Sequence, residues 1–204
     1  MIVPGDRYEI VMKNCVNYGT ISSNGNTEGG AWIGGVIGVC SWEEYPKMIQ
    51  NCLNYGTIES AELQTNTLQI GGIVGASMKV ALSNCMGGGK IITGTDSDVG
   101  GLVGFLYSST NITNSRWTNE SWSGDSYGTG NPGATLTETN SSKVASPIEA
   151  LDDLNSFVTP TNKWSKWFRL HLNGGRINDL EEDVLAVIEK FFPNSVKTEN
   201  TFMC

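Results

Sequence analysis

Short apolar segments alternate with polar, glycine-bearing stretches through the first 117 residues, and the apolar positions recur in blocks. The stretch N-C-V-N-Y-G-T-I at 14–21 returns as N-C-L-N-Y-G-T-I at 51–58 and, less closely, as N-C-M-G-G-G-K-I at 84–91. A second block lies between these copies and is also present three times. It reads I-G-G-V-I-G at 33–38, I-G-G-I-V-G at 70–75 and V-G-G-L-V-G at 99–104. Two motifs that alternate at intervals of about 35 residues predict a repeat architecture.

Aligned, the copies form columns that keep one residue type while the intervening loops change length. An apolar column is followed by an Asn column and by a Cys column, which becomes Ser in a fourth copy, I-T-N-S-R-W at 112–117. The members are Met12, Ile49, Leu82 and Ile112; Asn14, Asn51, Asn84 and Asn114; and Cys15, Cys52, Cys85 and Ser115. Each repeat buries its apolar face only against its neighbours. Because the segments are short, β-branched and flanked by glycine, they predict strands rather than helices.

The Asn column and the glycine pairs are interpreted as structural. Side-chain amides in register are expected to hydrogen-bond along the stack or to close turns. The glycine pairs at 34–35, 71–72 and 100–101 permit a bend or a close approach that a Cβ atom would block.

The second block carries a resemblance to a known family. Gly101-Leu102-Val103-Gly104, with the variants Gly35-Val36-Ile37-Gly38 and Gly72-Ile73-Val74-Gly75, resembles the core of the GLUG repeat family, and the match covers roughly residues 10–117. The resemblance implies a β-solenoid-like array on secreted or surface-anchored microbial proteins, including adhesins and some large surface proteases. It implies no catalytic residues. The expected fold is mainly β, a right-handed parallel β-solenoid-like repeat array with a small α-rich C-terminal cap.

The chain divides by composition into three parts: repeats at 1–117, a Gly/Ser/Thr/Asn-rich loop at 118–145, and a helical cap or small α-rich subdomain at 146–204. Ser146-Pro147-Ile148-Glu149 is a capping box with proline at the first helical position. Apolar residues then recur at helical spacing before Pro160; they are Ile148, Leu151, Leu154 and Val158. A second helix is predicted to end at Pro193. A cap would protect the open end of the last repeat from pairing with another strand.

The net charge and the hydropathy of the chain argue against nucleic acid as a partner and against a membrane span. The formal net charge is −8, and no basic stripe is present to hold a polyphosphate, which argues against nucleic acid. No apolar run approaches the roughly 18 residues of a membrane span. The start, M-I-V-P-G-D-R-Y, lacks the features of a signal peptide and begins almost inside a repeat. We therefore expect a segment of a longer chain, for which the resemblance implies an extracellular or cell-surface location.

Five cysteines leave two alternatives open. Three of them, Cys15, Cys52 and Cys85, share one column with Ser115, which favours free, buried thiols over a bridge such as Cys15–Cys52. The spacing of the cysteines and of the single histidine does not suggest zinc. Cys40 lies outside the column, and Cys204 is expected to be exposed. The sequons at Asn111, Asn119 and Asn140 arise readily by chance in an Asn- and Thr-rich chain, and would carry glycans only in a eukaryotic secreted protein.

Aromatic residues provide the candidate binding positions. Flat rings suit the faces of sugars, although packing in the core or in loops is the alternative for each. Tyr18 and Tyr55 share a column, and Trp117 also stands in a repeat column, where core packing is favoured. The candidate binding residues are Trp32, Trp42, Tyr18, Tyr55 and Trp122.

Other chemistry is weakly supported. Asp96 and Asp98 are half of a calcium loop, but the remaining acidic ligands are missing, so a solvated turn is expected instead. His171, the single histidine, has no second imidazole to share a metal or a triad, and is interpreted as structural or exposed.

A non-catalytic role is expected, and three functions are considered. The first is a non-catalytic module for adhesion or ligand binding, with a host-cell protein, matrix protein or polysaccharide as partner and with the loops 22–32, 40–47, 59–69 and 118–145 as its surface. The second is a carbohydrate-active enzyme of lyase or glycosidase type on a β-helix. That chemistry requires carboxylates projecting from neighbouring repeats, but the acids here occupy no common column. The third is a passive spacer.

Overall fold

The structure is a computed structural model, and every residue that it describes belongs to the compact unit Met1–Lys166. The described residues are 9–23, 31–40, 47–60, 68–94, 97–162, 164 and 166. The predicted second helix, His171 and Cys204 lie outside them, as do Trp42 and Asp96.

The chain makes repeated passes through the same series of short strands. The first pass consists of β1 (Glu9–Lys13), β2 (Val16–Asn17), β3 (Ile21–Ser23), β4 (Ala31–Gly34) and β5 (Ile37–Val39). The second consists of β6 (Lys47–Gln50), β7 (Leu53–Asn54), β8 (Ile58–Ser60), β9 (Leu68–Gly71) and β10 (Val74–Ser77). The third consists of β11 (Val80–Ser83), β12 (Met86–Gly87), β13 (Ile91–Ile92), β14 (Ser97–Gly100) and β15 (Val103–Leu106).

Two shorter passes follow and use only some of these positions. The fourth consists of β16 (Thr110–Thr113), β17 (Arg116–Thr118) and β18 (Tyr127–Gly130). The fifth consists of β19 (Leu136–Thr139) and β20 (Ser142–Val144), after which helix α1 (Pro147–Ser156) begins. The interpretation of 118–145 as a loop was therefore wrong, because this segment contains strands of both passes.

Equivalent strands of successive passes pair in parallel and form five sheets. Sheet A has the order β1-β6-β11-β16-β19, and sheet B has the order β2-β7-β12-β17-β20. Sheets C and D each hold three strands, β3-β8-β13 and β4-β9-β14, and sheet E holds β5-β10-β15-β18. The prediction of a mainly β fold built from repeated strands is thus confirmed. α1 is the single helix among the described residues.

The register reproduces the columns read from the sequence and explains why the last pass was missed. In sheet A, Met12 pairs with Ile49, Ile49 with Leu82, and Leu82 with Ile112. The next residue in this column is Glu138, so the apolar signal ends there. The ladder of backbone hydrogen bonds continues, because strand pairing at the end of a sheet does not require an apolar side chain.

Two apolar clusters fill the interior. The larger one joins sheet A to sheet E and includes Ile49, Leu82, Val74 and Val103, all almost fully buried. The smaller one joins sheets C and D, with members such as Ile58 and Ile70. Because these β-branched and leucine side chains are removed from water in register along the stack, their columns are expected to be the main source of stability.

A glycine–aromatic contact shows how tightly the passes approach each other. A Cβ atom on Gly101 would overlap the indole ring of Trp117 in the next pass. Trp117 is only 7% exposed, and its Nε1 donates a hydrogen bond to the carbonyl oxygen of Gly124 at 3.1 Å. The preference for packing over sugar binding at Trp117 therefore agrees with the structure, and the predicted close approach that a Cβ atom would block is present at Gly101.

Helix α1 begins as predicted. Ser146 Oγ accepts a hydrogen bond from Glu149 N at 3.2 Å, and Glu149 Oε2 accepts one from Ala145 N at 3.1 Å. Leu151 and Leu154 are buried, but Ile148 is 46% exposed, so its assignment to the apolar face was wrong. Ala150 is fully buried and lies on that face, where the helix contacts β17 and β20.

A salt bridge fixes the helix against sheet B. Arg116 Nε donates to Asp153 Oδ2 at 2.8 Å, and Arg116 Nη1 donates to the carbonyl oxygens of Ser115 and Asn140. The Arg116 side chain is nearly buried, whereas that of Asp153 is 44% exposed.

Candidate binding face

The corner between sheets A and B is set by the Asn column. Its members all have left-handed backbone, with φ between 49° and 57°, a conformation that Asn tolerates better than most residues. They are Asn14, Asn51, Asn84, Asn114 and Asn140. Asn51 Nδ2 donates to Asn14 Oδ1 and Asn84 Nδ2 donates to Asn51 Oδ1, both at 2.7 Å. The predicted amide ladder and the predicted turn are therefore both present.

The Cys column next to it has the same role in every pass. Each thiol or hydroxyl donates a hydrogen bond to the backbone carbonyl oxygen two residues earlier, at 3.0–3.4 Å. The donors are Cys15, Cys52, Cys85, Ser115 and Ser141. Ser replaces Cys because the position needs a small side chain with a donor, not only a filler of the core.

The four described cysteines, Cys15, Cys40, Cys52 and Cys85, are free thiols. The side-chain hydrogen bond with Cys85, together with burial, raises the pKa of Cys52 far above its ordinary value. Burial is the main cause that raises the pKa values of Cys15 and Cys40. These three thiols therefore stay protonated at neutral pH and are poor nucleophiles.

The candidate aromatic residues do not form one surface. Tyr18 and Tyr55 lie at the corner between sheets B and C, where Tyr18 is 36% exposed and Tyr55 is half-buried. Trp122 is half-buried against the smaller apolar cluster. Trp32, on β4 of sheet D, is 45% exposed.

Trp32 contacts Tyr107, which in turn packs against Phe105, and sequence reasoning had selected neither. Its Nε1 donates a hydrogen bond to Tyr107 Oη at 3.3 Å, and the two rings meet edge to face with centroids 6.4 Å apart. The rings of Tyr107 and Phe105 lie 4.7 Å apart. The indole on the first pass is thus held by a phenol that directly follows β15 on the third pass.

The two residues next to Trp32 in the register of sheet D carry hydrogen-bond acceptors. Trp32 is in register with Gln69, and Gln69 with Asp98. Gln69 is only 8% exposed, and its Oε1 has no hydrogen-bond partner. We call Trp32, Gln69, Asp98, Phe105 and Tyr107 the D–E face. It combines an exposed indole, two further aromatic rings, a carboxylate and a buried acceptor.

A signal for part of this face was present in the sequence. Val39, Ala76 and Phe105 are in register in sheet E, so an aromatic residue replaces small aliphatic ones in the third pass. Extending the alignment of the glycine-rich block by a few residues would have revealed this change. The importance of Gln69 was not visible, because it depends on which atoms surround its amide.

Asp96 and Asp98, for which a solvated turn was predicted and calcium binding was the weaker alternative, are now partly located. Asp98 lies within β14, beside Gln69 in the sheet, rather than in a free turn. Among the described residues, no group of three or more His, Cys, Asp or Glu side chains is arranged to hold a metal ion. A helix long and apolar enough to cross a membrane is likewise not found in the described part of the chain.

Comparisons with known proteins give no relative from which a role can be transferred. No family model, no curated protein and no solved structure matches this chain.

Proposed function

We propose that the chain is a non-catalytic binding module of a secreted or cell-surface protein, with a right-handed β-solenoid as its scaffold. The observation that carries the proposal is Trp32, a large aromatic side chain that is 45% exposed yet oriented by a hydrogen bond to Tyr107. A rigid, oriented aromatic residue on regular strands is a common anchor for ligands, because little conformational entropy is lost when it binds.

The topology supports the solenoid. Each of the first three passes visits the sheets in the order A to E, and the chain then returns beside the first strand of that pass, with parallel pairing throughout the described residues. Parallel strands joined by crossovers are right-handed in nearly all proteins, which supports the handedness. Helix α1, which packs on β17 and β20, supports the expectation of a C-terminal cap.

The positions of the connections also support binding. The corners between sheets A and B, and between B and C, keep their length in the first three passes. The connections that change length join C to D and E to A, and these corners flank sheets D and E. Variable connections on a constant scaffold are where binding specificity is usually located. The GLUG resemblance supports the same role and an extracellular or cell-surface location.

The test is co-sedimentation of the purified chain with insoluble polysaccharides, cell-wall preparations and intact host cells over a concentration series. Saturable retention on one of these is the expected result. Retention on none of them, from a sample with a cooperative unfolding transition, would overturn the proposal and favour a passive spacer. Release of soluble sugar from a polysaccharide would overturn the non-catalytic part and favour the carbohydrate-active enzyme.

A further inference from the structure

We propose that the D–E face binds a neutral polysaccharide of β-linked pyranose units, an inference that rests on the proposed binding function and names its ligand. In this site, Trp32 stacks against one sugar ring. On binding, the Gln69 side chain rotates outwards, so that its Oε1, buried in the free protein, accepts a hydrogen bond from a sugar hydroxyl. The Asp98 carboxylate accepts another from the same polysaccharide. Each of the three residues lies on a different pass, so the polysaccharide runs across the strands.

The Trp32 side chain exposes an apolar ring surface that suits the face of a sugar. Its Nε1 donor is already satisfied by Tyr107, so the exposed part of the side chain is mainly apolar ring. The face of an aromatic ring is electron-rich and attracts the polarised C–H groups of a partner. A pyranose with equatorial hydroxyls presents a flat face of axial C–H groups, which matches a ring of this kind.

A second argument is the buried amide oxygen of Gln69. A buried acceptor without a partner is uncommon, because it has lost its hydrogen bonds to water and gained none in return. The Gln69 side chain is more than nine-tenths buried, and it stands in register between Trp32 and Asp98. A hydroxyl of the sugar that stacks on the indole is the kind of donor that this oxygen lacks, and a rotation of the Gln69 side chain exposes the oxygen to it.

The spacing of Trp32, Gln69 and Asp98 and the negative charge of the chain favour a regular, uncharged ligand. Neighbouring strands in a sheet are about 4.8 Å apart, so the three residues form a row with a regular step along the stack. A regular polymer suits such a row better than a compact ligand does. The formal net charge of −8 and the Asp98 carboxylate disfavour polymers that carry carboxylate or sulfate groups. The favoured ligand is therefore a neutral glycan.

The experiment measures the affinity of the full chain for cellohexaose and chitohexaose by isothermal titration calorimetry, with oligogalacturonate as the acidic comparison. We expect saturable binding of at least one neutral hexasaccharide and weaker or no binding of the acidic one. Trp32→Ala should weaken binding about 10-fold or more, and Trp32→Phe should weaken it less. Gln69→Met, which keeps the side-chain volume but removes the acceptor, should weaken binding several-fold.

Ile148→Ala is the matched control, because the Ile148 side chain is as exposed as that of Trp32, at 46% and 45%, but lies on helix α1. The affinity of this variant for the hexasaccharides should equal that of the unchanged protein. If Trp32→Ala were to unfold, Trp32→Phe and Gln69→Met would still give the comparison.

The outcomes separate this inference from the proposed function. Binding of a neutral glycan that neither Trp32→Ala nor Gln69→Met changes would overturn the inference. Saturable retention on cells or on an acidic polymer, with no binding of the neutral hexasaccharides, would also overturn it but would leave the binding function standing. Retention on none of the materials would overturn both.

Discussion

The corners of the repeat and the D–E face follow opposite rules. At the corner between sheets A and B, every pass has Asn with left-handed backbone, followed by Cys or Ser that donates to the same carbonyl position. On the D–E face, the residues in one register position are Trp32, Gln69 and Asp98, which share neither size nor charge. A repeated residue marks a need common to all passes, whereas a changed residue marks something that one pass does alone.

The corners are expected to control stability, and the D–E face to control binding. Stacked passes depend on each other, so a defect in one corner weakens the contacts on both of its neighbours. A substitution on the outer face changes fewer contacts. Substitutions at the corners should therefore lower the free energy of unfolding more than substitutions on the D–E face.

The largest effect is expected for Gly56→Ala. Gly19, Gly56 and Gly89 occupy one column at the corner between sheets B and C, and a Cβ atom on Gly56 would overlap the carbonyl oxygen of Gly19. Because that atom belongs to the backbone, relief requires the passes to separate, and we expect a loss of about 3 kcal/mol in the free energy of unfolding. Urea denaturation followed by circular dichroism measures this loss.

Gly19→Ala is the matched control for this substitution. The nearest atom to a Cβ at that position is Asn17 Oδ1, at an ordinary 3.5 Å, so the change should fall within about 0.5 kcal/mol. Equal losses for the two variants would contradict the stacking described for this column.

Asn51→Ala is expected to cost about 2–3 kcal/mol. The substitution places alanine in left-handed backbone, which is unfavourable by about 1–2 kcal/mol, and removes the amide between Asn14 and Asn84. Asn51→Gly removes the amide alone, so its loss should be smaller by about 1 kcal/mol. If glycine were no better than alanine in urea denaturation, backbone conformation would not be the reason for Asn in this column.

The Cys column predicts a fall in stability at alkaline pH. An unfolded Cys52 ionises near its ordinary pKa of 9.0, whereas the folded protein keeps this thiol protonated to higher pH. Above pH 9 the folded state therefore binds more protons than the unfolded state, and stability falls as pH rises. Cys52→Ser should reduce this fall, because Ser115 and Ser141 already fill the same column and a hydroxyl does not ionise there.

The measurement for this prediction is urea denaturation at pH values on either side of the ordinary thiol pKa, for the unchanged protein and for Cys52→Ser. At neutral pH the variant should lose only about 1 kcal/mol, since the hydrogen bond to the Gln50 carbonyl is kept. An equally steep alkaline fall in both proteins would show that Cys52 is not its source.

Gln69→Met is expected to be neutral or slightly stabilising, by up to about 1 kcal/mol. The substitution removes a buried oxygen that has no partner, at nearly constant volume. Residues that bind ligands are often less favourable for stability than an apolar replacement. A stabilising effect of Gln69→Met would show that Gln69 is such a residue. A clear loss of thermal stability would contradict the unpartnered state of the amide and weaken the proposed site.

The repeated strands and their corners could be predicted from the sequence because each repeat has the same residue types in the same columns. A single asparagine such as Asn51 could have a structural role or bind a ligand. Four asparagines in one column, Asn14, Asn51, Asn84 and Asn114, favour a structural role that every repeat needs. The strands between 118 and 145 were missed for the opposite reason. Their apolar column ends in Glu138, and their Cys column continues as Ser141.

The site was only partly predictable, since a single exposed residue carries no repeated signal. Trp32 was chosen for its ring, but its partner Tyr107 lies 75 residues further along the chain. The two residues meet because the third pass lies two strands away from the first. This contact could be predicted only if the register of the strands were already known. Ile148 shows the reverse error, because helical spacing alone did not reveal which side of α1 meets β17.

If the D–E face, and not the corners, is the ligand surface, a bound glycan should protect the backbone amides of that face. Hydrogen–deuterium exchange of the full chain, with and without a saturating neutral hexasaccharide, measures this protection. We expect slower exchange in 31–34, 68–71 and 97–107 and unchanged exchange around Asn51 and Tyr18. Protection confined to the corners, or no protection in the segments of the D–E face, would contradict it.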